Sequence, residues 1–226
     1  MCNAANHRSQ TPSRPVTSDQ HGVHRDLRAR VARHRHTQYR RPIHSASAAA
    51  FECAQRWLAQ REPRPLILDA GCGTGMSSQW LAQNHPEAWV IGVDKSASRL
   101  QRTGGVHHDN LLLVQANLLD LYPLALQAGW RCAQQTHFYP NPWPKAAQLN
   151  KRWHGSPVFP MLVRLGGALE LRSNWRVYVD EMQLALQLYG VESHVTEWVP
   201  VSPVSRFEAK YAASGHALWC LKARLD

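Results

Sequence analysis

The chain has 226 residues, 44% of them hydrophobic, which is enough for one large domain with a full core or for two small ones. This composition excludes a fully disordered chain, and five scattered cysteines exclude a disulfide-stapled miniprotein and predict reduced thiols. No apolar run approaches the ~18–20 residues of a membrane helix, and no apolar signal region is seen, so we expect a cytoplasmic protein without a membrane partner.

The positive charge is concentrated near the N-terminus. The formal net charge of the chain is +10. Residues 1–44 hold nine Arg, two Asp and few apolar side chains, so that they carry +7 of this charge. We therefore predict a basic, disordered arm over residues 1–44 and a globular domain over residues 45–226. The arm is either a solvated leader or a segment that contacts RNA, because guanidinium groups match phosphate oxygens.

After the arm, predicted helices alternate with predicted strands. Apolar residues at helical spacing predict a helix over 45–60, and a short apolar run predicts a strand over 66–69. The later helices are predicted at 76–83, 95–101, 118–128, 159–165 and 177–188, and the later strands at 89–94, 111–116, 135–139, 168–172, 192–199 and 217–223. Residues 200–214 are expected to form a loop. This alternation predicts a mostly parallel sheet covered on both faces, and the last strand pair predicts an antiparallel edge.

A glycine-rich turn, Asp69-Ala70-Gly71-Cys72-Gly73-Thr74-Gly75, follows the first predicted strand and opens a helix. Its spacing differs from the dinucleotide pattern G-x-G-x-x-G and from the phosphate loop, which ends in G-K-[ST]. An acidic residue before the first glycine is the pattern of methyltransferases that use S-adenosylmethionine. We therefore predict that Asp69, Gly71, Gly73 and Gly75 bind this cofactor.

Two polar residues at the ends of later strands extend the predicted cofactor site. Asp94 ends the second strand, where a carboxylate can accept hydrogen bonds from both ribose hydroxyls. Asn117 follows the third strand, near the expected position of the adenine. Its side chain is equally suited to cap the next helix.

From about Arg64 to Arg224 the chain resembles the TrmB-type tRNA (guanine-N7)-methyltransferases. Beyond the cofactor turn, the resemblance is carried first by Phe138-Tyr139-Pro140-Asn141-Pro142-Trp143-Pro144-Lys145, which is similar to the family's F-P-D-P-W-P-K. It continues into Asn150-Lys151-Arg152, which is similar to H-x-K-R-R.

Two later passages also carry the resemblance. Leu165-Gly166-Gly167 and Ser173-Asn174-Trp175 are similar to P-G-G and T-D-W. Ser205-Arg206-Phe207-Glu208 is similar to T-[KR]-F-E and is followed by Gly215-His216. The histidines show no metal-ligating spacing, so no metal site is expected.

The resemblance implies an α/β, Rossmann-like methyltransferase that uses S-adenosylmethionine to make 7-methylguanosine in the variable loop of tRNA, and we expect a monomer. It implies that Lys145, Lys151 and Arg152 contact tRNA phosphates. It also implies that Ser205, Arg206 and Glu208 bind substrate, with Ser205 and Glu208 closing over the methionine end of the cofactor or over the target base. Trp143 either stacks on a base or packs beneath its loop.

The chain departs from the family pattern at two positions, Asn141 and Asn174, where the family has Asp. Guanine N7 has a free lone pair, so its methylation requires positioning rather than a strong base. We predict that both amides face the base as the catalytic pair, retaining an acceptor oxygen but lacking the charge that would stabilise the developing cation. The alternatives are a methyltransferase of another base or of a small molecule, and a tRNA-binding protein that has lost catalysis.

Overall fold

The computed structural model describes residues 12–104 and 107–225, and seven strands of this part of the chain form one sheet. The strands are β1 (Leu66–Ala70), β2 (Trp89–Asp94), β3 (Leu111–Gln115), β4 (Gln134–Phe138), β5 (Gly167–Ser173), β6 (Ser193–Glu197) and β7 (Trp219–Leu225). They lie in the order β3-β2-β1-β4-β5-β7-β6. The first five strands pair in parallel, and β7 is antiparallel to both β5 and β6. The predicted parallel sheet with an antiparallel edge is confirmed.

Helices cover both faces of the sheet. They are α1 (Leu27–His36), α2 (Ser45–Ala59), α3 (Met76–Asn84), α4 (Ala97–Leu100), α5 (Leu118–Gln127), α6 (Phe159–Leu165), α7 (Arg176–Gln187) and α8 (Arg206–Ala213), with 3₁₀ helices at Ala146–Lys151 and Trp153–Gly155. The expectation of a loop over 200–214 is wrong for α8. Ser205 caps this helix by accepting a hydrogen bond from the backbone N–H of Glu208, and the S-x-x-E spacing of a capping box was the available signal.

The apolar strands β1 and β2 lie inside the sheet, between β3 and β4. Every residue of β1 and β2 is buried, as expected for parallel strands with helices on both faces. The large core on one face joins residues of α2, α5, α6 and α7 to the sheet. No helix within the described residues is both long and apolar enough to cross a membrane.

Residues 12–44 pack against the sheet domain, so the prediction of a disordered arm is wrong for this part, and residues 1–11 lie outside the described residues. Leu27 and Val31, one helical turn apart on α1, are 0% and 1% exposed and belong to the main core. The helix contacts α6 and α7. Its two large apolar side chains face the domain while its exposed arginines face solvent, so a basic segment with little apolar content is still anchored.

Candidate active site

The glycine-rich turn between β1 and α3 borders a cavity of about 230 Å³. Gly71 and Gly73 have positive φ angles of 84° and 62°, which glycine adopts without strain. A Cβ at either position would meet no atom within 4 Å, so both residues face open space. The start of α8 also lines the cavity, together with Phe138 at the end of β4. The turn therefore has the open backbone surface that a cofactor requires.

Asp69 lies beneath the turn instead of facing the cavity. Its side chain is 1% exposed and accepts hydrogen bonds from the hydroxyls of Ser77, Ser78 and Thr136 at 2.6, 2.7 and 2.9 Å. Burial raises the pKa of Asp69, and these hydrogen bonds oppose that shift. The three hydroxyls fill three of the about four acceptor positions of this buried carboxylate, so Asp69 fixes the turn to α3 and β4, and its contact with the cofactor stays a prediction.

Gly75 has a packing role. It precedes α3 with φ of 75°, and a Cβ at this position would lie 2.9 Å from Cδ1 of Leu113 on β3. The missing side chain lets the helix approach the sheet closely. The structure therefore assigns Gly75 to helix–strand contact rather than to the cavity.

Asp94 lies at the end of β2 with 4% of its surface exposed. Its Oδ2 accepts a hydrogen bond from the N–H of Gly73 at 3.0 Å, and its Oδ1 accepts one from the N–H of Ser96 at 2.8 Å. The guanidinium of Arg99 also binds Oδ2, at 3.1 Å. A carboxylate has about four acceptor positions. A ribose with two hydroxyl donors therefore fits Asp94 only when Arg99 moves away.

Asn117 lies beyond β3 and caps α5, where its Oδ1 accepts a hydrogen bond from the N–H of Leu119 at 3.0 Å. Its backbone N–H donates to the hydroxyl of Ser47 on α2. The helix-capping alternative is therefore realised in the structure. The Nδ2 of Asn117 has no hydrogen-bond partner among the described residues and is available to a ligand.

The proline-rich loop, residues 139–145, follows β4 at the same edge of the sheet as the glycine turn. Tyr139 and Trp143 have φ angles of 52° and 46°. Positive φ costs energy in residues with a side chain and is common at functional sites. Within the loop, Asn141 is exposed and its Oδ1 accepts a hydrogen bond from the N–H of Trp143 at 3.4 Å.

Asn174 follows β5, the strand next to β4, so the two amides come from neighbouring loops. Its Nδ2 lies 3.1 Å from Nδ1 of His216. The other ring nitrogen of His216 lies 2.9 Å from the carbonyl oxygen of Ser13. The N-terminal segment thus reaches the loop that carries Asn174.

Arg152 is fully buried, so the predicted contact with tRNA phosphates is wrong. Its guanidinium forms an ion pair with Glu181 at 2.6 Å and donates to the backbone oxygens of Trp143 and Lys145 and to the side-chain oxygen of Gln20. Burial opposes the charge on Glu181. The hydrogen bonds and charges of the neighbouring His154 and Arg152 outweigh burial and lower the pKa of Glu181 to about 2. Arg152 therefore joins the proline-rich loop to α7 and to the N-terminal segment.

Glu208 is also buried, and the prediction that it contacts substrate is wrong. It accepts hydrogen bonds from the Tyr139 hydroxyl, the Arg172 guanidinium and the Trp198 indole, each at 2.9 Å. Its second oxygen accepts one from the N–H of Val204. These hydrogen bonds to the carboxylate of Glu208 hold α8 against β4 and β5.

The other predicted substrate residues fall into two groups. Lys145 and Lys151 are exposed beside the proline-rich loop, and the ammonium of Lys151 lies 4.6 Å from the centre of the Trp143 ring. Ser205 and Arg206 instead line the cavity beside the glycine turn. Neither lysine is among the residues that line this cavity.

A family model described as "Putative methyltransferase" matches residues 63–221 of the chain. The chain belongs to this methyltransferase family. The methyltransferase is 27% identical over 173 residues to a tRNA (guanine-N(7)-)-methyltransferase of Leifsonia xyli subsp. xyli, covering 71% of this chain and 76% of that protein. It is 28% identical over 171 residues to a protein of the same name from Thiobacillus denitrificans, covering 71% and 75% of the two chains. The resemblance found in the sequence is confirmed.

Solved structures share the fold of the methyltransferase. The 16S rRNA methyltransferase KamB superposes with a TM-score of 0.57 at 15% identity, covering 82% of this chain and 95% of that one. The 16S rRNA (adenine(1408)-N(1))-methyltransferase of Catenulisporales acidiphilia, whose structure holds SAM, superposes with a TM-score of 0.51 at 17% identity, covering 77% of this chain and 91% of that one. The predicted Rossmann-like methyltransferase fold is confirmed.

Sequence reasoning missed four residues of the methyltransferase site: Gln20, Arg99, Glu181 and His216. Arg99 carried a local signal, because it lies five residues after Asp94, on the helix that follows β2. His216 lies in a passage that resembles the family, but the spacing of the histidines predicted neither a metal site nor a contact with Asn174. Gln20 and Glu181 lie 161 residues apart in the chain, so no local pattern connects them.

Proposed function

We propose that the protein is an S-adenosylmethionine-dependent tRNA (guanine-N7)-methyltransferase that acts on tRNA in the cytoplasm. The observation that carries this proposal is the position of three loops. The glycine turn follows β1, the proline-rich loop follows β4 and the Asn174 loop follows β5, and these are adjacent parallel strands. The carboxyl ends of parallel strands form the ligand crevice of such a sheet, so cofactor and base are bound side by side. The similarity to tRNA (guanine-N(7)-)-methyltransferases supports the choice of substrate.

The residues of the turn fit S-adenosylmethionine, which supplies a methyl group on a positively charged sulfur. The open space beside Gly71 and Gly73 admits a ligand against the backbone. Asp94 lies at the end of the neighbouring strand as the ribose acceptor, and Asn117 retains a free amide N–H for the adenine end. Asp69 and Gly75 support this surface from below.

The protein side of the reaction consists of holding the base. Guanine N7 has an exposed lone pair, so no group has to remove a proton from it before transfer. The amide oxygens of Asn141 and Asn174 accept hydrogen bonds from the N–H groups of guanine and orient its ring. Neither amide is charged, and a charge-assisted hydrogen bond exceeds a neutral one by about 1 kcal/mol. The amides therefore favour orientation of the base over stabilisation of the cation that forms.

Exposed cations surround the crevice and provide a surface for the tRNA backbone. Lys145 and Lys151 lie at the proline-rich loop. Arg206 begins α8, Lys210 lies in the last turn of that helix, and both line the cavity. Arg102, on the segment after β2, extends this surface. Phosphate contacts by such side chains make affinity strongly dependent on salt concentration.

The test is transfer of tritium from methyl-labelled S-adenosylmethionine to bulk tRNA. We expect incorporation into tRNA by the wild type and none by Asp94→Ala, which loses the ribose acceptor. Ribosomal RNA at equal mass serves as the control substrate. Labelling of neither RNA, with cofactor bound, would overturn the proposed activity. Tight tRNA binding in that case would favour a binding protein without catalysis.

A further inference from the structure

A hydrogen-bonded series of three polar groups runs from the carbonyl of Ser13, in the N-terminal segment, through the imidazole of His216 to the amide of Asn174. The backbone of Ser13 is fixed at both ends, because its N–H donates to the hydroxyl of Ser214 at 2.8 Å and its carbonyl faces Nε2 of His216 at 2.9 Å. Tyr211 stacks on the imidazole with ring centres 5.2 Å apart and an interplanar angle of 17°. The imidazole therefore has one position, between Ser13 and Asn174.

Hydrogen-bonding capacity determines the direction of each bond in this series. A carbonyl oxygen only accepts, so Nε2 of His216 carries the proton that is donated to Ser13. In the neutral imidazole Nδ1 is then an acceptor, and the group 3.1 Å away must be a donor. Only the Nδ2 group of Asn174 can donate. Its Oδ1 consequently points away from His216, and it accepts no hydrogen bond from any described residue.

We propose that His216 is a positioning residue, which acts with the Ser13 carbonyl to fix the Asn174 amide so that its oxygen faces the base. This inference rests on the proposed function. An oxygen in this orientation accepts from the N1–H or the amine of guanine. The reversed amide would present N–H groups to those N–H groups and repel them. The orientation of one amide therefore favours a base edge that presents N–H donors, as the N1–H and amine of guanine do.

Nitrogen-15 NMR of the imidazole tests the orientation without any substrate. We expect His216 to be the tautomer with its proton on Nε2, assigned by the loss of its signals in His216→Asn. A proton on Nδ1 would overturn the proposal, because Asn174 would then have to accept from it and turn its N–H groups to the base.

Kinetics test the consequence for the base. His216→Lys can only donate to Asn174 and should lower kcat/KM on tRNA by roughly ten- to hundredfold, with cofactor affinity unchanged. His216→Asn, the matched variant, keeps an acceptor at the position of Nδ1 and should stay within about threefold of the wild type. In an Asn174→Ala background, His216→Lys should have no further effect.

The positioning role would be overturned if His216→Lys lowered kcat/KM equally in the wild-type and Asn174→Ala backgrounds, or lowered it in neither. If the wild type transfers no methyl group to tRNA, the proposed function fails, and the tautomer measured by NMR decides the orientation of Asn174 by itself. If His216→Lys does not fold, as judged by its melting transition, the comparison of His216→Asn in the two backgrounds takes its place. A loss greater than tenfold that is equal in both would then refute the proposal.

Discussion

Arg152→Ala separates a structural role from a role in tRNA binding. The side chain is 0% exposed and makes five hydrogen bonds, one of them to the buried carboxylate of Glu181. Removing one partner of a buried ion pair costs about 3–5 kcal/mol, because the other charge is left without compensation. For a chain of this size each kcal/mol lowers the melting temperature by about 2–4 °C, so we expect a decrease of roughly 6–20 °C.

The assay is thermal unfolding followed by circular dichroism, together with tRNA affinity measured over a range of salt concentrations. Lys151→Ala is the matched control, since Lys151 is the preceding residue and is exposed. It should leave the melting temperature within about 1 °C and reduce the salt dependence of tRNA binding by about one phosphate contact. Double substitution with Glu181→Ala should recover part of the stability lost in Arg152→Ala. A stable Arg152→Ala variant with a reduced salt dependence would refute the reasoning and restore the phosphate contact.

Three further predictions concern the anchored segment, the cofactor and acid stability. Leu27→Ala should lower the free energy of unfolding by about 2–5 kcal/mol in urea titrations, whereas Arg28→Ala, at an exposed position, should not change it. Equal free energies of unfolding for the two variants would show that α1 does not pack on the domain in solution. Asp94→Asn should weaken cofactor binding by roughly tenfold in calorimetry, because an amide accepts at only one atom, and unchanged affinity would remove Asp94 from the site. Glu181, with its pKa lowered from 4.5 to about 2, should stabilise the fold by about 3 kcal/mol above pH 4.5 and lose this contribution as the pH falls through about 2. If the free energy of unfolding of the wild type and that of Glu181→Gln differ by the same amount from pH 6 to about pH 2, the predicted contribution of Glu181 is contradicted.

The central sheet could be predicted because most of its strands are short apolar runs that can be recognised from neighbouring residues alone. The predicted strand over 89–94 has the observed bounds, and the one over 66–69 is one residue short. Helix α1 could not be predicted in this way, since it has few apolar residues and its burial depends on α6 and α7, far along the chain. The glycine-rich turn is similarly local, which is why the positions of Gly71, Gly73 and Asp94 at the ends of their strands could be predicted, while their contact with the cofactor stays a prediction.

The roles of single polar side chains were harder to predict. Arg152 stands in a basic run that is typical of an exposed surface, and its burial depends on Glu181, 29 residues away, and on Gln20, 132 residues away. The role of Asn174 depends on His216 and on a backbone carbonyl at Ser13. A backbone group leaves no mark in a sequence pattern, so the positioning of this amide was visible only in the structure.

The central claim is that a site with two amides in place of two carboxylates methylates guanine N7 in tRNA. Its most direct test is chromatography with mass spectrometry of the nucleosides released from tRNA after incubation with the wild-type protein and isotope-labelled S-adenosylmethionine. The account predicts labelled 7-methylguanosine, absent with Asp94→Ala. Label in another nucleoside, or no labelled nucleoside while the cofactor and tRNA both bind, would contradict it.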